Sequence, residues 1–165
     1  MEIQYGKNQV NGQSFTPIQT STQPIVHYHS NPKKLYTLIL TDPDAVQGNL
    51  IHWLVVNIPG SDIEKGQSIL EYYGPHPPKD SGVHTYSFLL LEQTTKIKPI
   101  VLDDRYIAVQ ELLEKLSITS QPMYTEHFTS QFSGGRRKGT MRRKRTMQRK
   151  ITMQRTRSKK RINRK

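Results

Sequence analysis

Three runs of the chain are apolar on both faces, and they predict the centre of a packed sheet. Leu35–Thr41 reads LYTLILT, His52–Ile58 reads HWLVVNI and His84–Leu91 reads HTYSFLLL. β-Branched and aromatic residues dominate each run. Hydrophobicity that is nearly continuous rather than alternating marks strands covered on both sides. Pro43 closes the first run, Pro59-Gly60 closes the second, and a Gly/Pro-rich loop precedes the third. Ahead of them, Asn11-Gly12 predicts a hairpin turn flanked by short strands, because both residues tolerate positive φ. Pro17, Pro24 and Pro32 keep this N-terminal part in short pieces. Between Tyr106 and Ser117 the period changes. Val109, Leu112, Leu113 and Leu116 fall at i, i+3, i+4 and i+7, one stripe of a helix whose start Asp103 or Asp104 can cap.

Beyond residue 132 no element is predicted. Gly134-Gly135 opens a stretch with a sixfold rhythm of Thr140-Met141, Thr146-Met147 and Thr152-Met153, each pair followed by basic residues. A period of six fits neither a helix face nor a solenoid repeat, and so little apolar surface cannot offset the entropy of ordering. Two regions follow: a folded domain at 1–132 and a basic, low-complexity tail at 133–165, expected to be disordered in isolation.

Charge sharpens that division. Of the 25 Lys and Arg residues 16 lie in 133–165, which has no Asp or Glu, while the first 132 residues hold all 13 acidic residues and carry a formal charge of −4. The high pI belongs to the tail, so the domain is not read as a nucleic-acid binder. The tail's clusters, Arg136-Arg137-Lys138 and Arg142-Arg143-Lys144-Arg145 foremost, suit phosphate neutralisation on nucleic acid, anionic membrane or a nuclear-import signal. A solvated tail without a dedicated partner is the plain alternative. Lacking aromatics to stack on bases, any nucleic-acid binding there would be independent of sequence. The absence of cysteine excludes a disulfide scaffold and thiolate chemistry. No signal peptide or transmembrane run is visible, and a cytoplasmic or, through the tail, nuclear location is expected.

Candidate chemistry gathers at the ends of the predicted strands. Asp42-Pro43-Asp44 leaves the first strand, His52 opens the second, and GPHPPKDSGVHTY, from Gly74 to Tyr86, leads into the third. Prolines and glycines give that loop a fixed shape, and His84 and Tyr86, two apart, share a strand face. Two imidazoles, a phenol and loop N–H groups are donors suited to an anion. Asp42 suits a different task, accepting a histidine N–H and so fixing its tautomer.

The blocks TDPDA, HWLVVN and GPHPPKDSGVHTY, in this order and spacing, resemble the signatures of the phosphatidylethanolamine-binding protein family, which includes Raf kinase inhibitor proteins and plant flowering regulators. The similarity covers 35–93 and extends more weakly to Phe128. It implies a mainly β fold, an antiparallel β-sandwich with a few short helices and a small anion pocket at one end. It also implies that Asp42, His52, Gly74, Pro77, His84, Tyr86 and Phe128 form that pocket, with Phe128 as its closing aromatic. The expected ligand is a phosphorylated small molecule or phospholipid headgroup, with a kinase-type protein as partner and the chain a monomer. Polyanion binding by the tail, with the domain as scaffold, is the competing function. A basic tail on a trimmed core would also suit a homologue from a large DNA virus, which would place the protein in virions. Departures from the family pattern are Val46 where many relatives have proline, Thr85 in place of an arginine, and His76 in place of a glycine.

No catalytic residue, metal or cofactor is assigned. A two-His-one-carboxylate metal site at Asp42, His52 and His84 is weighed and set below the anion pocket. Ser81 and Ser87 are available nucleophiles, but neither sits in a G-x-S-x-G elbow. His27 and His29 read as surface histidines, and Trp53 and Tyr36 as core or rim aromatics.

Overall fold

The computed structural model describes residues 1–134; the polyanion candidates Arg136, Arg137, Lys138, Arg142, Arg143, Lys144 and Arg145 lie outside the described residues. The three apolar runs form the long strands β5 (Leu35–Asp42), β6 (Leu50–Pro59) and β8 (Val83–Gln93). The other strands are β1 (Glu2–Tyr5), β2 (Asn8–Gln9), β3 (Ser14–Phe15), β4 (Ile25–His27), β7 (Gln67–Leu70) and β9 (Tyr124–Gln131). A 3₁₀ turn spans Ile63–Lys65 and the helix α1 spans Val109–Lys115. β5 lies centrally in a six-stranded sheet of order β3-β9-β8-β5-β6-β7, and β2-β1-β4 form a second, three-stranded sheet. Every pair is antiparallel except β3 with β9.

Both faces of the large sheet are covered, which explains the continuous hydrophobicity. Leu38 and Leu40 of β5 and Tyr86, Phe88 and Leu90 of β8 pack with Ile3, Tyr5 and Val26 of the small sheet. Their neighbours Ile39 and Leu91 face the other way, toward Leu112 and Leu116 of the helical segment. Period-2 alternation thus assigns each residue its layer.

Two bulges interrupt that alternation in β6. Its register against β5 passes from Leu40↔Trp53 to Thr41↔Ile51, leaving His52 as an extra residue. A second irregularity between Tyr36 and Leu38 falls where Asn57 holds φ 58, outside the usual range for a side-chain-bearing residue.

Two local expectations are corrected. The hairpin turn is at Gly6-Lys7, joining β1 to β2, with Gly6 at φ 60. Asn11-Gly12 instead carries the chain between sheets, since β3 pairs with β9. Neither Asp103 nor Asp104 caps the helix, whose N-cap is Ala108. Asp104 accepts the N–H groups of Arg105 and Tyr106. The next residues stay extended because Ile51 N donates to Arg105 O and Ile107 N to Asn49 O.

Candidate functional site

Alternation along β5 and β8 points Asp42, His84 and Tyr86 to the face that packs on the small sheet, at the end of the strands. The bulge brings His52 to them from β6. All four side chains are enclosed, none belonging to a residue more than 2 % exposed. The Tyr86 ring stands between the imidazoles, near-parallel to His84 (centroids 6.4 Å apart, 19° between planes) and edge-on to His52 (5.2 Å, 78°).

Hydrogen bonds fix the polar atoms. Asp42 Oδ1 accepts Asp44 N–H at 2.9 Å, closing the turn, and its Oδ2 lies 2.8 Å from His84 Nδ1. Asp42 therefore sets the orientation of His84, the role expected of it. Asp44 ties the turn to β8 by accepting Thr85 N–H at 2.8 Å. His52 donates Nδ1–H to Tyr73 O at 2.7 Å. That leaves its Nε2 buried without a partner, 4.0 Å from Asp42 Oδ2. Burial holds the His52 pKa below its usual value, opposed by the Tyr73 carbonyl and the Asp42 charge. The Tyr86 phenol is pushed well above its usual value, first by burial and then by the nearby Asp42 carboxylate, so it keeps its proton as a donor. As metal ligands the trio is poorly disposed, because His84 turns Nδ1 onto Asp42 itself.

The remaining expected site residues take different places. Gly74 and Pro77 act through the loop: a Cβ on Gly74 would stand 2.8 Å from Thr20 O, so only glycine allows this close approach, and Pro77 is buried. Phe128, paired with Tyr86 in register, is fully buried and stacks behind its ring at 5.2 Å. It backs the site rather than closing its mouth. Val46 is exposed, and His76, His27 and His29 are on the surface.

Two residues escaped the sequence reading. Arg105 donates to Ile51 O and His52 O at 3.2 Å each and to Glu71 O at 2.9 Å. Its guanidinium also lies 5.8 Å from the Tyr73 ring centroid, a cation–π contact. It bolts the loop over the bulge, and being the sole arginine before residue 136 was the available signal. Tyr73 supplies the carbonyl for His52 and stacks on its ring at 5.5 Å, a backbone role that no side-chain pattern announces.

The domain is thus a β-sandwich, its large sheet covered by the small sheet on one face and the helical segment on the other, with a buried Asp–His–His–Tyr cluster at one strand end. The phosphatidylethanolamine-binding protein family model matches residues 2–127, and the chain belongs to that family. It is 34% identical over 135 residues to the 26 kDa secreted antigen of Toxocara canis, covering 77% of this chain and 48% of the relative. It is 38% identical over 104 residues to Protein MOTHER of FT and TFL1 homolog 2 of Oryza sativa subsp. japonica, covering 58% and 59%. The chain spans about half the length of the curated relatives it matches. Its fold is similar to that of a carboxypeptidase Y inhibitor complexed with the cognate proteinase, with TM-score 0.68 and 19% identity over 80% of this chain and 82% of that one.

Proposed function

We propose that the domain binds the phosphoryl oxygens of a phosphorylated headgroup or phospho-residue without chemical turnover, and through this ligand modulates a protein partner of the kinase type. The observation that carries the reading is the buried, partnerless Nε2 of His52 beside the Asp42–His84 pair. With Nδ1–H given to Tyr73 O, neutral His52 offers Nε2 as an acceptor, which suits a protonated phosphoryl oxygen. The Tyr86 phenol and an N–H at His84 Nε2 can donate to the unprotonated oxygens, and enclosure strengthens each of these bonds.

The test is a titration of the full chain with phosphoethanolamine and, in parallel, phosphoserine, followed by NMR at the ring nitrogens of His52 and His84. Saturable shifts at both residues are expected. In His84→Ala affinity should fall by roughly 10- to 100-fold, the loss of one hydrogen bond to a charged group. The ligand that binds more tightly distinguishes headgroup from phospho-residue. Unmoved ring signals in a folded protein would end this reading.

The charge division supports a second reading, polyanion binding by the tail with the domain as scaffold. Replacing Arg136, Arg137, Lys138, Arg142, Arg143, Lys144 and Arg145 by glutamine should weaken heparin binding at least roughly 100-fold and flatten its salt dependence. Unchanged affinity and salt slope would remove the tail from that role.

A further inference from the structure

Ser81 lies in the turn that leads into β8, three residues before His84. Its hydroxyl donates to Pro78 O at 2.8 Å, and its Oγ lies 2.9 Å from His84 Nε2, the ring nitrogen not engaged by Asp42. Both imidazoles of the cluster thus have Nδ1 tied, His84 to Asp42 and His52 to Tyr73 O. They differ at Nε2. That of His52 is bare, while that of His84 already holds an oxygen supplied by the chain.

We infer that the Ser81 hydroxyl is an internal stand-in for one ligand oxygen: it occupies His84 Nε2 in the free protein, an incoming phosphoryl group must displace it, and it thereby sets which ligands the site accepts. The inference rests on the phosphoryl-binding reading above.

The energetics favour this exchange only for a charged ligand. A serine hydroxyl is a neutral acceptor for the ring N–H, whereas a phosphoryl oxygen is an anionic one and makes the stronger bond. An alcohol or sugar oxygen gains nothing over Ser81 and meets a competitor held at high effective concentration. The turn is suited to movement: Lys79, Asp80, Gly82 and Val83 are all exposed, and Asp80 and Gly82 sit at φ 66 and 87. Ser81 can leave as part of this turn while keeping its bond to Pro78 O.

The order Ser81–His84–Asp42 is also that of a hydrolytic triad. Proton counting separates the two roles. A serine hydroxyl has one proton, and here Pro78 O receives it. The contact with Nε2 then requires Nε2–H, and with Nδ1–H on Asp42 the ring carries both protons. Such a ring cannot act as the base that a nucleophilic serine needs.

The test compares the full 165-residue wild-type chain with Ser81→Ala, titrating each with phosphoethanolamine and with glycerol, whose oxygens are uncharged. Ser81→Ala is expected to bind phosphoethanolamine roughly 10- to 100-fold more tightly, the worth of one hydrogen bond to a charged ring. Glycerol should move the His84 ring signals in the variant only. In wild type, saturation with phosphoethanolamine should shift the Ser81 and Gly82 amides together with the His84 ring, a readout independent of the variant's folding. Equal or weaker binding by a folded Ser81→Ala, or a His84 response without movement at Ser81 and Gly82, overturns the stand-in and leaves the phosphoryl site intact. Silence at His84 in both proteins overturns both. Labelling of Ser81 by a fluorophosphonate would make it a nucleophile and would equally overturn the inference.

Discussion

Phe128→Ala should destabilise the domain by about 3–5 kcal/mol, the range for truncating a fully buried aromatic. Phe128 meets Tyr5 and Phe15 edge-to-face, with centroids 5.6 and 5.5 Å apart, and lies flat against Tyr86. It therefore joins three elements of the sandwich, β1, β3 and β8, from its own strand β9. Small domains have roughly 5–15 kcal/mol in total, so the loss takes a large part of it and lowers Tm by roughly 10–20 °C. The cavity would open behind Tyr86, so ligand binding should fall as well. Phe128→Leu separates packing from contact with ligand. It should cost about 1–2 kcal/mol and leave phosphoethanolamine affinity within roughly threefold of wild type. Denaturant unfolding followed by circular dichroism measures the first effect. A loss below about 1 kcal/mol for Phe128→Ala would contradict the core role, and a large drop in affinity for the folded leucine variant would restore Phe128 to the pocket.

Gln93→Leu should cost about 2–6 kcal/mol, although it exchanges a polar side chain for an apolar one of similar length in the interior. The Gln93 Oε1 accepts Thr37 Oγ1–H at 2.8 Å and Asn57 N–H at 2.7 Å, and its Nε2 donates to Asn57 Oδ1 at 3.0 Å and Thr95 O at 3.1 Å. All four capacities of the amide are filled. Asn57 in turn donates to Ile97 O and accepts Ile97 N–H, so Gln93 and Asn57 together fasten the chain after β8 to the bulged β6. Leucine would strand the Thr37 hydroxyl and the Asn57 N–H, two buried donors at about 1–3 kcal/mol each. The same unfolding measurement applies. A variant within roughly 0.5 kcal/mol of wild type would mean that water or a shifted backbone satisfies those donors, and that the network holds nothing in place.

The central strands were legible from short-range rules, and the residues of the candidate site from the resemblance of three sequence blocks to a known family. β5, β6 and β8 announced themselves by apolar runs too continuous for a half-exposed strand. His84 and Tyr86 share a face by alternation alone. The turn at Asp42–Asp44 was marked by Pro43. The N-terminal pairings were harder to read: Asn11-Gly12 has hairpin chemistry, but Gly12 N donates to His127 O, a strand more than a hundred residues later. The helix start was misplaced for a similar reason. Asp104 had a cap's chemistry, yet the bonds of Arg105 and Ile107 to the edge of β6 held the backbone extended. Local propensity lost in both cases to a long-range pairing.

By itself the sequence determined the layer of each central strand residue, the charge division between domain and tail, and the residue types available to the site. These depend on spacing and composition, which the chain carries wherever it goes. Only the tertiary structure decided how His52 reaches Asp42, His84 and Tyr86. It does so through a bulge, one unpaired residue that reverses the parity of β6, and such a residue is defined by the partner strand. The same holds for the Arg105 bolt, the Tyr73 carbonyl and the Ser81 hydroxyl on His84. Each is a contact between segments that meet only when the sheet has formed, and directional bonds of this kind have no period for a sequence pattern to reveal.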